Sequence, residues 1–166
     1  MPELHALAAA VGERLAEREE TIATAESATG GLISSTLTAI PGASRSFERG
    51  YVTYTYRAKL EELAVSREAL DAHGAVSAPV AEEMAQGARD RAGTDWALSL
   101  TGIAGPSGET DEKPVGTTYI GLGRAGSWGS GTSSVTVAGY TFDGDRETIR
   151  KRGVEMALQT LLEAIE

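Results

Sequence analysis

The sequence predicts a single α/β domain in which a mixed β-sheet lies between two layers of helices. Segments with helical spacing of apolar residues stand before, between and after short β-branched or aromatic segments, which is typical of a three-layer α/β/α arrangement. The last two strand-like segments are joined by a Gly- and Ser-rich connection, so we expect them to be antiparallel neighbours. A length of 166 residues fits one domain over 1–166, without an internal repeat or linker.

The composition narrows the classes of function. The formal net charge of −9 disfavours nucleic-acid binding, because affinity for phosphate backbones comes largely from clustered Lys and Arg. The chain has no Cys and its two histidines, His5 and His73, lie far apart in the sequence on predicted helices, so we do not expect a metal site. The N-terminal residues lack a signal-peptide pattern and no apolar run approaches about 18 residues. We therefore expect a cytoplasmic protein without a membrane partner.

The first third of the chain reads as helix, strand, helix. Apolar residues at helical intervals predict an amphipathic helix between Pro2 and Arg18, with these positions on the buried side: Leu4, Leu7, Ala8, Val11 and Leu15. The β-branched, alternating segment 21–25 predicts a short strand. Apolar residues at 33, 37 and 40 predict a helix from Gly31 that Pro41-Gly42 ends.

The middle of the chain predicts one strand and three helices. Aromatic and β-branched residues predict a strand over 50–56, with Tyr54 and Tyr56 on the same face. A short helix follows over 57–64, and a second is capped by Ser66 and runs to His73 before Gly74. A longer helix begins after Ser77 and runs to about Ala92, with three core positions on one side: Val80, Met84 and Ala88.

The last part of the chain predicts three strands and a helix. The segments 96–101, 115–122 and 132–142 read as strands, the last with Gly139 as a bulge, and 123–131 as the connection between the last two. A turn at Asp143-Gly144-Asp145 precedes a final helix from about Arg146, whose buried side carries these residues: Val154, Leu158, Leu161 and Ile165.

Ser27 stands in a predicted turn between a strand and a helix. Such a turn exposes a hydroxyl at the carboxyl end of the strand, beside the unpaired N–H groups of the next helix, and Gly30 and Gly31 allow a ligand to approach the backbone. This suits a nucleophile beside an anion or oxyanion site. The alternative is that Glu26, Ser27 and Thr29 only cap the helix.

A second candidate segment is the loop 102–114, which follows a predicted buried strand. Thirteen Gly, Pro and polar residues are long for a connection in a compact domain, and loops of that length are often functional. Successive N–H groups in such a loop can surround an anion. The alternative is a disordered surface excursion.

Several segments in the same order along the chain together resemble the CinA carboxy-terminal domain family, whose stand-alone members resemble nicotinamide mononucleotide (NMN) deamidases. The matching segments are Ala25-Glu26-Ser27-Ala28-Thr29-Gly30-Gly31, Tyr54-Thr55-Tyr56-Arg57-Ala58-Lys59, His73-Gly74-Ala75-Val76-Ser77, Thr101-Gly102-Ile103-Ala104-Gly105-Pro106 continuing to Glu112-Lys113-Pro114-Val115-Gly116-Thr117, and Phe142-Asp143-Gly144-Asp145-Arg146. The resemblance spans nearly the entire chain. No amino-terminal domain of the larger CinA proteins is recognisable, so we expect a stand-alone member.

The resemblance implies an amidohydrolase (EC 3.5.1 type) that deamidates NMN to nicotinate mononucleotide and ammonia. It implies Ser27 as nucleophile, Lys59 as base and later acid, and Tyr54 as a hydrogen-bonding residue between or beside them. A lysine at its usual pKa of about 10.4 cannot accept a proton at neutral pH, so the surroundings of Lys59 must lower its pKa. Without the resemblance, Lys59 reads as a solvated helix lysine. Glu26 has no firm role, since a carboxylate in contact with Lys59 would keep the amine charged.

The resemblance also indicates where the pyridine nucleotide substrate would bind. Backbone N–H groups of the two glycine-rich segments would contact the oxyanion or phosphate, Thr101 would donate its hydroxyl, and Arg146 would contact the phosphate. The predicted substrate-binding residues are Thr29, Gly30, Gly31, Thr101, Gly102, Ala104, Gly105 and Arg146. The family implies a homo-oligomer as well, and the implied reaction requires no metal or organic cofactor.

The sequence departs from the family pattern at two positions. Ala28 replaces the usual Cys, which we expect to matter little because the neighbouring Ser27 is the nucleophile. Tyr56 replaces the usual Asn within the segment that supplies the base, and a phenol in place of an amide could reshape the pocket. Two alternatives therefore stay open: a catalytically inactive module that binds a nucleotide or a protein partner, and an amidase for another pyridine or nucleoside amide.

Overall fold

The computed structural model describes residues 2–166 and contains six α-helices and five β-strands. Their order is α1 (Pro2–Glu17), β1 (Ile22–Glu26), α2 (Leu32–Thr38), a 3₁₀ turn (Ala43–Arg45), β2 (Phe47–Val52), α3 (Tyr56–Leu63), α4 (Arg67–His73), α5 (Ala78–Ala92), β3 (Trp96–Gly102), β4 (Thr117–Arg124), β5 (Ser134–Thr141) and α6 (Arg146–Ile165). Among the helices of this described range, none combines the length and the apolarity that a membrane crossing requires.

The five strands form one mixed sheet in the order β2-β1-β3-β4-β5. β1 is parallel to both of its neighbours, whereas β4 is antiparallel to β3 and to β5. The predicted mixed sheet and the antiparallel pairing of the last two strands are thus confirmed. Because β1, β2, β3 and β5 run in the same direction, their carboxyl ends open at one edge of the sheet, where α/β proteins commonly bind ligands.

Helices cover both faces of the sheet, which confirms the three-layer prediction. One face packs against α1, α2 and α6 through a core that includes Ile22, Leu98 and Leu100. The opposite face presents small residues such as Ala23, Ala25 and Ala97 to α5, which packs there with α3 and α4. Small residues on this face let the backbone of α5 approach the sheet closely. At Gly121 of β4, for example, a Cβ would lie 2.9 Å from the Ala81 carbonyl oxygen.

The prediction for the second strand is wrong at both ends. β2 begins at Phe47, which pairs with Ile22 of β1, and ends at Val52. Tyr54 lies after the strand, and Tyr56 is the first residue of α3, so the two tyrosines do not share a strand face. The physical reason is a helix cap: the Thr55 hydroxyl accepts a hydrogen bond from the Ala58 N–H at 3.0 Å, and this overrides the strand propensity of the aromatic residues.

Gly139 is not a bulge, contrary to the prediction. β4 and β5 pair in unbroken register from Thr117 opposite Thr141 to Arg124 opposite Ser134, with Gly139 opposite Tyr119. A Cβ on Gly139 would lie 3.0 Å from the Tyr119 ring, so glycine makes room for a cross-strand aromatic side chain. β4 also begins two residues later than predicted, because Gly116 donates its N–H to Ile103 in the preceding loop. The other predicted elements agree with the structure to within about two residues at each end.

Candidate active site

The turn after β1 is held by the buried carboxylate of Glu26, the last residue of that strand. Glu26 accepts the N–H groups of Ile33 and Ser34 in the first turn of α2, at 2.7 and 3.0 Å, and the hydroxyls of Thr29 and Ser34 at 2.7 and 2.9 Å. Gly31 stands at the N-cap of α2 and has no side chain to cap the helix. Glu26 therefore caps α2 from the strand, where the helix dipole favours a negative charge, and fixes the position of Ser27.

Lys59 lies directly beneath Ser27. The Lys59 side chain is 0% exposed, which excludes a solvated helix lysine. Its amine lies 2.9 Å from the Ser27 hydroxyl oxygen and 2.7 and 3.2 Å from the carbonyl oxygens of Thr53 and Tyr54. The Thr53 N–H donates to the Glu26 carbonyl at 2.8 Å, so the pairing of β2 with β1 continues up to the residue that holds the amine.

The surroundings of Lys59 favour its neutral form. Within residues 2–166, no carboxylate lies within 4.0 Å of the amine, and Glu26 is engaged with α2 instead. Burial lowers the Lys59 pKa from 10.5 to about 8. A neutral amine has two N–H groups and one lone pair. It can donate to the Thr53 and Tyr54 carbonyls and still accept the Ser27 O–H, so the arrangement suits a base that activates a hydroxyl.

Among the described residues, the turn after Ser27 leaves three N–H groups without an acceptor, those of Ala28, Thr29 and Gly31. The Ser27 N–H donates to Leu100 at 3.1 Å, and the Gly30 N–H donates back to the Ser27 carbonyl at 3.0 Å. Neither the Ala28 N–H nor the Thr29 N–H has an acceptor in the part of the chain that the structure describes. Gly30, a predicted anion donor, instead closes the turn, which its φ of 59° permits without strain.

An open cleft with a volume of about 240 Å³ lies above Ser27 at the carboxyl edge of the sheet. Seven of the predicted site residues line it: Ser27, Tyr54, Thr101, Gly102, Ala104, Gly105 and Arg146. Thr29, Gly30 and Gly31 do not line it but form the turn behind Ser27, and Lys59 lies below. The structure therefore brings together most residues of four segments that are distant in the sequence.

Two side chains that were predicted to form hydrogen bonds at the site, those of Thr101 and Tyr54, have other partners in the structure. The Thr101 hydroxyl donates to the Ala75 carbonyl at 2.9 Å, and the Thr29 hydroxyl donates to Glu26, so neither proton is free for a substrate. The Tyr54 hydroxyl lies 3.5 Å from the Arg146 guanidinium rather than against Ser27 or Lys59. Tyr54 contacts the Lys59 amine through its backbone carbonyl and not through its hydroxyl.

Two arginines of α6, Arg146 and Arg150, reach this site, and only Arg146 is among the predicted site residues. Arg146 donates to the Gly105 carbonyl at 2.7 Å and so holds the loop after β3 against α6. Arg150 donates to the carbonyls of Ala28 and Thr29 at 3.1 and 2.9 Å. The two arginines are four positions apart and share a helix face. That spacing was the signal in the sequence that could have identified Arg150.

Tyr56, the second departure from the family pattern, lies away from the cleft. Its side chain is 43% exposed and does not line the cleft. The phenol oxygen lies 3.9 Å from where a Cβ on Gly74 would be, beside the Lys113 amine, which donates to the His73 carbonyl at 2.5 Å. Tyr56 therefore belongs to the contact between α3 and the end of α4.

Comparison with known proteins gives consistent matches over nearly the whole chain. Residues 4–165 match the family model described as the CinA C-terminal domain. The nicotinamide-nucleotide amidohydrolase PncC of Escherichia coli K12 is 45% identical, and the match covers 96% of this chain and 93% of that protein.

Longer relatives and solved structures also match this chain over nearly its whole length. A CinA-like protein of Syntrophotalea carbinolica is 51% identical over 93% of this chain, which spans only 36% of that relative's length. The crystal structure of the competence/damage inducible protein CihA from Agrobacterium tumefaciens superposes with a TM-score of 0.92 at 36% identity, covering 99% of this chain and 96% of that one.

Proposed function

Because this chain belongs to the CinA C-terminal domain family, we propose that it is an amidohydrolase that converts nicotinamide mononucleotide to nicotinate mononucleotide and ammonia. The observation that carries the proposal is the buried Lys59 amine 2.9 Å from the Ser27 hydroxyl, at the base of an open cleft. The substrate follows from the E. coli relative, which is a nicotinamide-nucleotide amidohydrolase and matches over nearly its full length.

In the first half of the reaction, the Ser27 oxygen attacks the carbon of the carboxamide while Lys59 takes the hydroxyl proton. The tetrahedral intermediate carries a negative oxygen, which the unpaired N–H group of Ala28 is placed to bind, because it follows the nucleophile directly and its residue lines the cleft. Lys59 then gives its proton to the amide nitrogen. The C–N bond breaks, ammonia leaves, and an ester joins Ser27 to the nicotinoyl group.

In the second half, water replaces ammonia at the same site. Lys59, now neutral, takes a proton from the water as its oxygen attacks the ester carbon. The bond to the Ser27 oxygen then breaks, and Lys59 returns the proton to that oxygen. The products are nicotinate mononucleotide and a regenerated hydroxyl, so one water is consumed and one ammonia is released per turnover.

The proposed substrate carries a phosphate and a cationic pyridinium ring, and the cleft offers a group for the phosphate. Arg146 uses part of its guanidinium to hold Gly105 at 2.7 Å, and only a long 3.5 Å contact joins it to Tyr54. Arginine carries five N–H donors in a fork that matches phosphate oxygens. We infer that Arg146 contacts the phosphate of the substrate.

The direct test is to incubate the purified protein with NMN and measure ammonia. Ser27→Ala removes the nucleophile and Lys59→Met removes the base with little change in volume, so each should abolish nearly all turnover. Lys151→Met is the matched control, since Lys151 is on the outer surface of α6 and pairs with Glu147 at 2.7 Å. Wild-type rates in Ser27→Ala or Lys59→Met would overturn the mechanism.

The rival function is a CinA-like module that binds a nucleotide or a partner without catalysis, and its motivation is Tyr56 in place of the usual Asn. The position of Tyr56 outside the cleft weakens that motivation. Saturable binding of NMN in calorimetry without release of ammonia would favour the rival. Turnover of another pyridine or nucleoside amide, but not of NMN, in a substrate panel would indicate a different amidase.

The other expectations remain predictions. These are a cytoplasmic location, a homo-oligomer, and the lack of a nucleic-acid partner. Light scattering of the purified protein measures the oligomer size.

A further inference from the structure

Arg150 contacts the turn that carries the nucleophile, from a position 121 residues further along the chain than Thr29. Its guanidinium donates from Nε to the Ala28 carbonyl at 3.1 Å and from Nη2 to the Thr29 carbonyl at 2.9 Å. In the described part of the chain, Arg150 has no carboxylate within 4.0 Å. No ion pair within this range therefore offsets its positive charge behind the Ser27 turn.

These contacts connect to the three peptide groups that follow Ser27. In a trans peptide, the carbonyl of one residue and the N–H of the next point in opposite directions. Arg150 on the Ala28 carbonyl therefore fixes and polarises the unpaired Thr29 N–H. Arg150 on the Thr29 carbonyl does the same for the Gly30 N–H, which donates to the Ser27 carbonyl at 3.0 Å.

The last step of this chain of contacts reaches the N–H group beside the nucleophile. The Ser27 carbonyl belongs to the same peptide group as the Ala28 N–H, so the bond from Gly30 fixes that plane as well. Hydrogen bonds in series strengthen one another, and a cationic donor at the start of the series adds to that effect. One guanidinium thus orients three consecutive peptide groups, two of which carry unpaired N–H donors.

We propose that Arg150 is a positioning residue for the reaction: through the Ala28 and Thr29 carbonyls it holds and polarises the turn after Ser27, so that the Ala28 N–H is fixed where it binds the negative oxygen of the tetrahedral intermediate. This inference rests on the proposed amidohydrolase function. It differs from a purely structural role, in which Arg150 would only attach α6 to the turn. Under a structural role, its loss would lower stability or displace Ser27 from Lys59 without a specific effect on the chemical step.

The first test compares Arg150→Gln with Arg152→Gln in NMN deamidation. Arg152 lies two positions further on α6 and is exposed, so both variants lose one charge from the same helix. Arg150→Gln should lower kcat by about 10-fold or more with KM within about 2-fold, since removal of one oxyanion donor costs on the order of 100-fold. Arg150→Lys, which keeps the charge but not the fork of donors, should give an intermediate kcat.

The pH profile separates positioning from disruption of the site. In Arg150→Lys, which keeps the positive charge, the midpoint of the rate profile, set by Lys59, should stay where it is in wild type while the plateau falls. Because the charge is unchanged in this variant, a shifted midpoint would mean that Ser27 and Lys59 had moved apart, and this would overturn the proposal. Each variant is measured below its melting temperature, so that unfolding does not contribute to the difference in rate. If Arg150→Gln does not fold, Arg150→Lys replaces it in the comparison with wild type.

A fluorophosphonate probe tests the same oxyanion site without NMN. When a serine attacks the phosphorus atom, negative charge also develops on an oxygen beside the nucleophile. Wild type should be labelled at Ser27, and Arg150→Gln should be labelled about 10-fold more slowly, with Arg152→Gln unchanged. Equal labelling of wild type and Arg150→Gln would overturn this inference and leave the function standing. A wild type inert toward both NMN and the probe would overturn the function and the inference together.

Discussion

The Lys59 amine and the Ser27 hydroxyl oxygen lie 2.9 Å apart although 32 positions separate them in the chain. Two short-range features produce this distance. β2 pairs with β1 up to Val52 opposite Glu26, and the next residue, Thr53, still donates to the Glu26 carbonyl. Thr55 then caps α3, so that Lys59 on its first turn points back toward the end of β1. The pair is therefore positioned by strand register and by one helix cap.

The deamidation rate should depend on pH through Lys59. Only the neutral amine can accept a proton, and burial lowers its pKa to about 8. Turnover should therefore rise about tenfold per pH unit below this value and level off above it, with roughly one tenth of the plateau at pH 7. The measurement is kcat/KM for NMN from about pH 6 to 9.5.

A lysine with its usual pKa would give a different pH profile, so the profile tests whether burial lowers the Lys59 pKa. If Lys59 kept its usual pKa, the rate would continue to rise beyond pH 9.5 without a plateau. A profile that is flat below pH 7 would show that another group is the base. Circular dichroism across the same range is the control for loss of structure.

Loss of the Glu26 charge should destabilise the protein. In Glu26→Gln, one of the two carboxylate oxygens becomes an NH₂ group, which faces N–H donors of α2 instead of accepting from them. A buried donor without an acceptor costs about 1–3 kcal/mol, and the loss of bonds to a charged acceptor adds to this. Urea unfolding should show a decrease of at least about 2 kcal/mol, whereas Glu163→Gln on the exposed surface of α6 should stay within about 0.5 kcal/mol.

Removal of the Arg146 guanidinium should weaken substrate binding more than chemistry. Arg146 lines the cleft but contacts neither Ser27 nor Lys59, and its proposed partner is a phosphate remote from the reacting carbon. Arg146→Ala should raise KM for NMN by about 10-fold or more, with a smaller change in kcat, because a charged hydrogen bond is worth about 1.5–3 kcal/mol. Nicotinamide riboside, which lacks the phosphate, should be indifferent to the substitution. Equal effects on both substrates would show that Arg146 acts through the Gly105 loop instead.

The local parts of the site could be predicted from the sequence because their signals are local. Ser27 after a strand, and Ser66 and Ser77 at the starts of helices, follow from residue type and spacing alone. The strand prediction over 50–56 was wrong because two local signals compete there. Tyr54 and Tyr56 favour a strand, whereas Thr55 favours a helix cap, and in the structure the cap prevails because the Thr55 hydroxyl accepts the Ala58 N–H.

The supporting contacts could not be predicted in the same way, because they join elements whose arrangement a single sequence leaves open. Glu26 reads as part of a cap, but its four hydrogen bonds depend on the angle between β1 and α2. Arg150 binds Ala28 and Thr29 only because α6 returns across the sheet beside the end of β1. Strand order decides which distant segments meet, and no residue pattern here specified that order.

Two helical glycines should respond in opposite directions to alanine. In a helix interior, Gly is about 0.5–1 kcal/mol less favourable than Ala. Apart from its chain neighbours and its own helix backbone, no atom of residues 2–166 lies within 4 Å of the position that a Cβ on Gly12 of α1 would take, so Gly12→Ala should stabilise the fold by that amount. A Cβ on Gly87 of α5 would lie 2.0 Å from the Leu63 carbonyl oxygen, so Gly87→Ala should destabilise by about 1–3 kcal/mol. Urea unfolding of both variants checks the opposite signs.

Tyr56→Asn, which introduces the residue usual in the family, should leave catalysis nearly unchanged. The Tyr56 side chain is on the outer surface between α3 and the end of α4, whereas Tyr54, two positions earlier, lines the cleft and contacts Arg146. We expect kcat/KM for NMN to change by less than about 3-fold in Tyr56→Asn and to fall by about 10-fold in Tyr54→Ala, which removes a wall of the cleft. Steady-state kinetics of both variants and of wild type gives the comparison. A wild type without turnover that gains it through Tyr56→Asn would instead establish that this chain is an inactive member, silenced at that position.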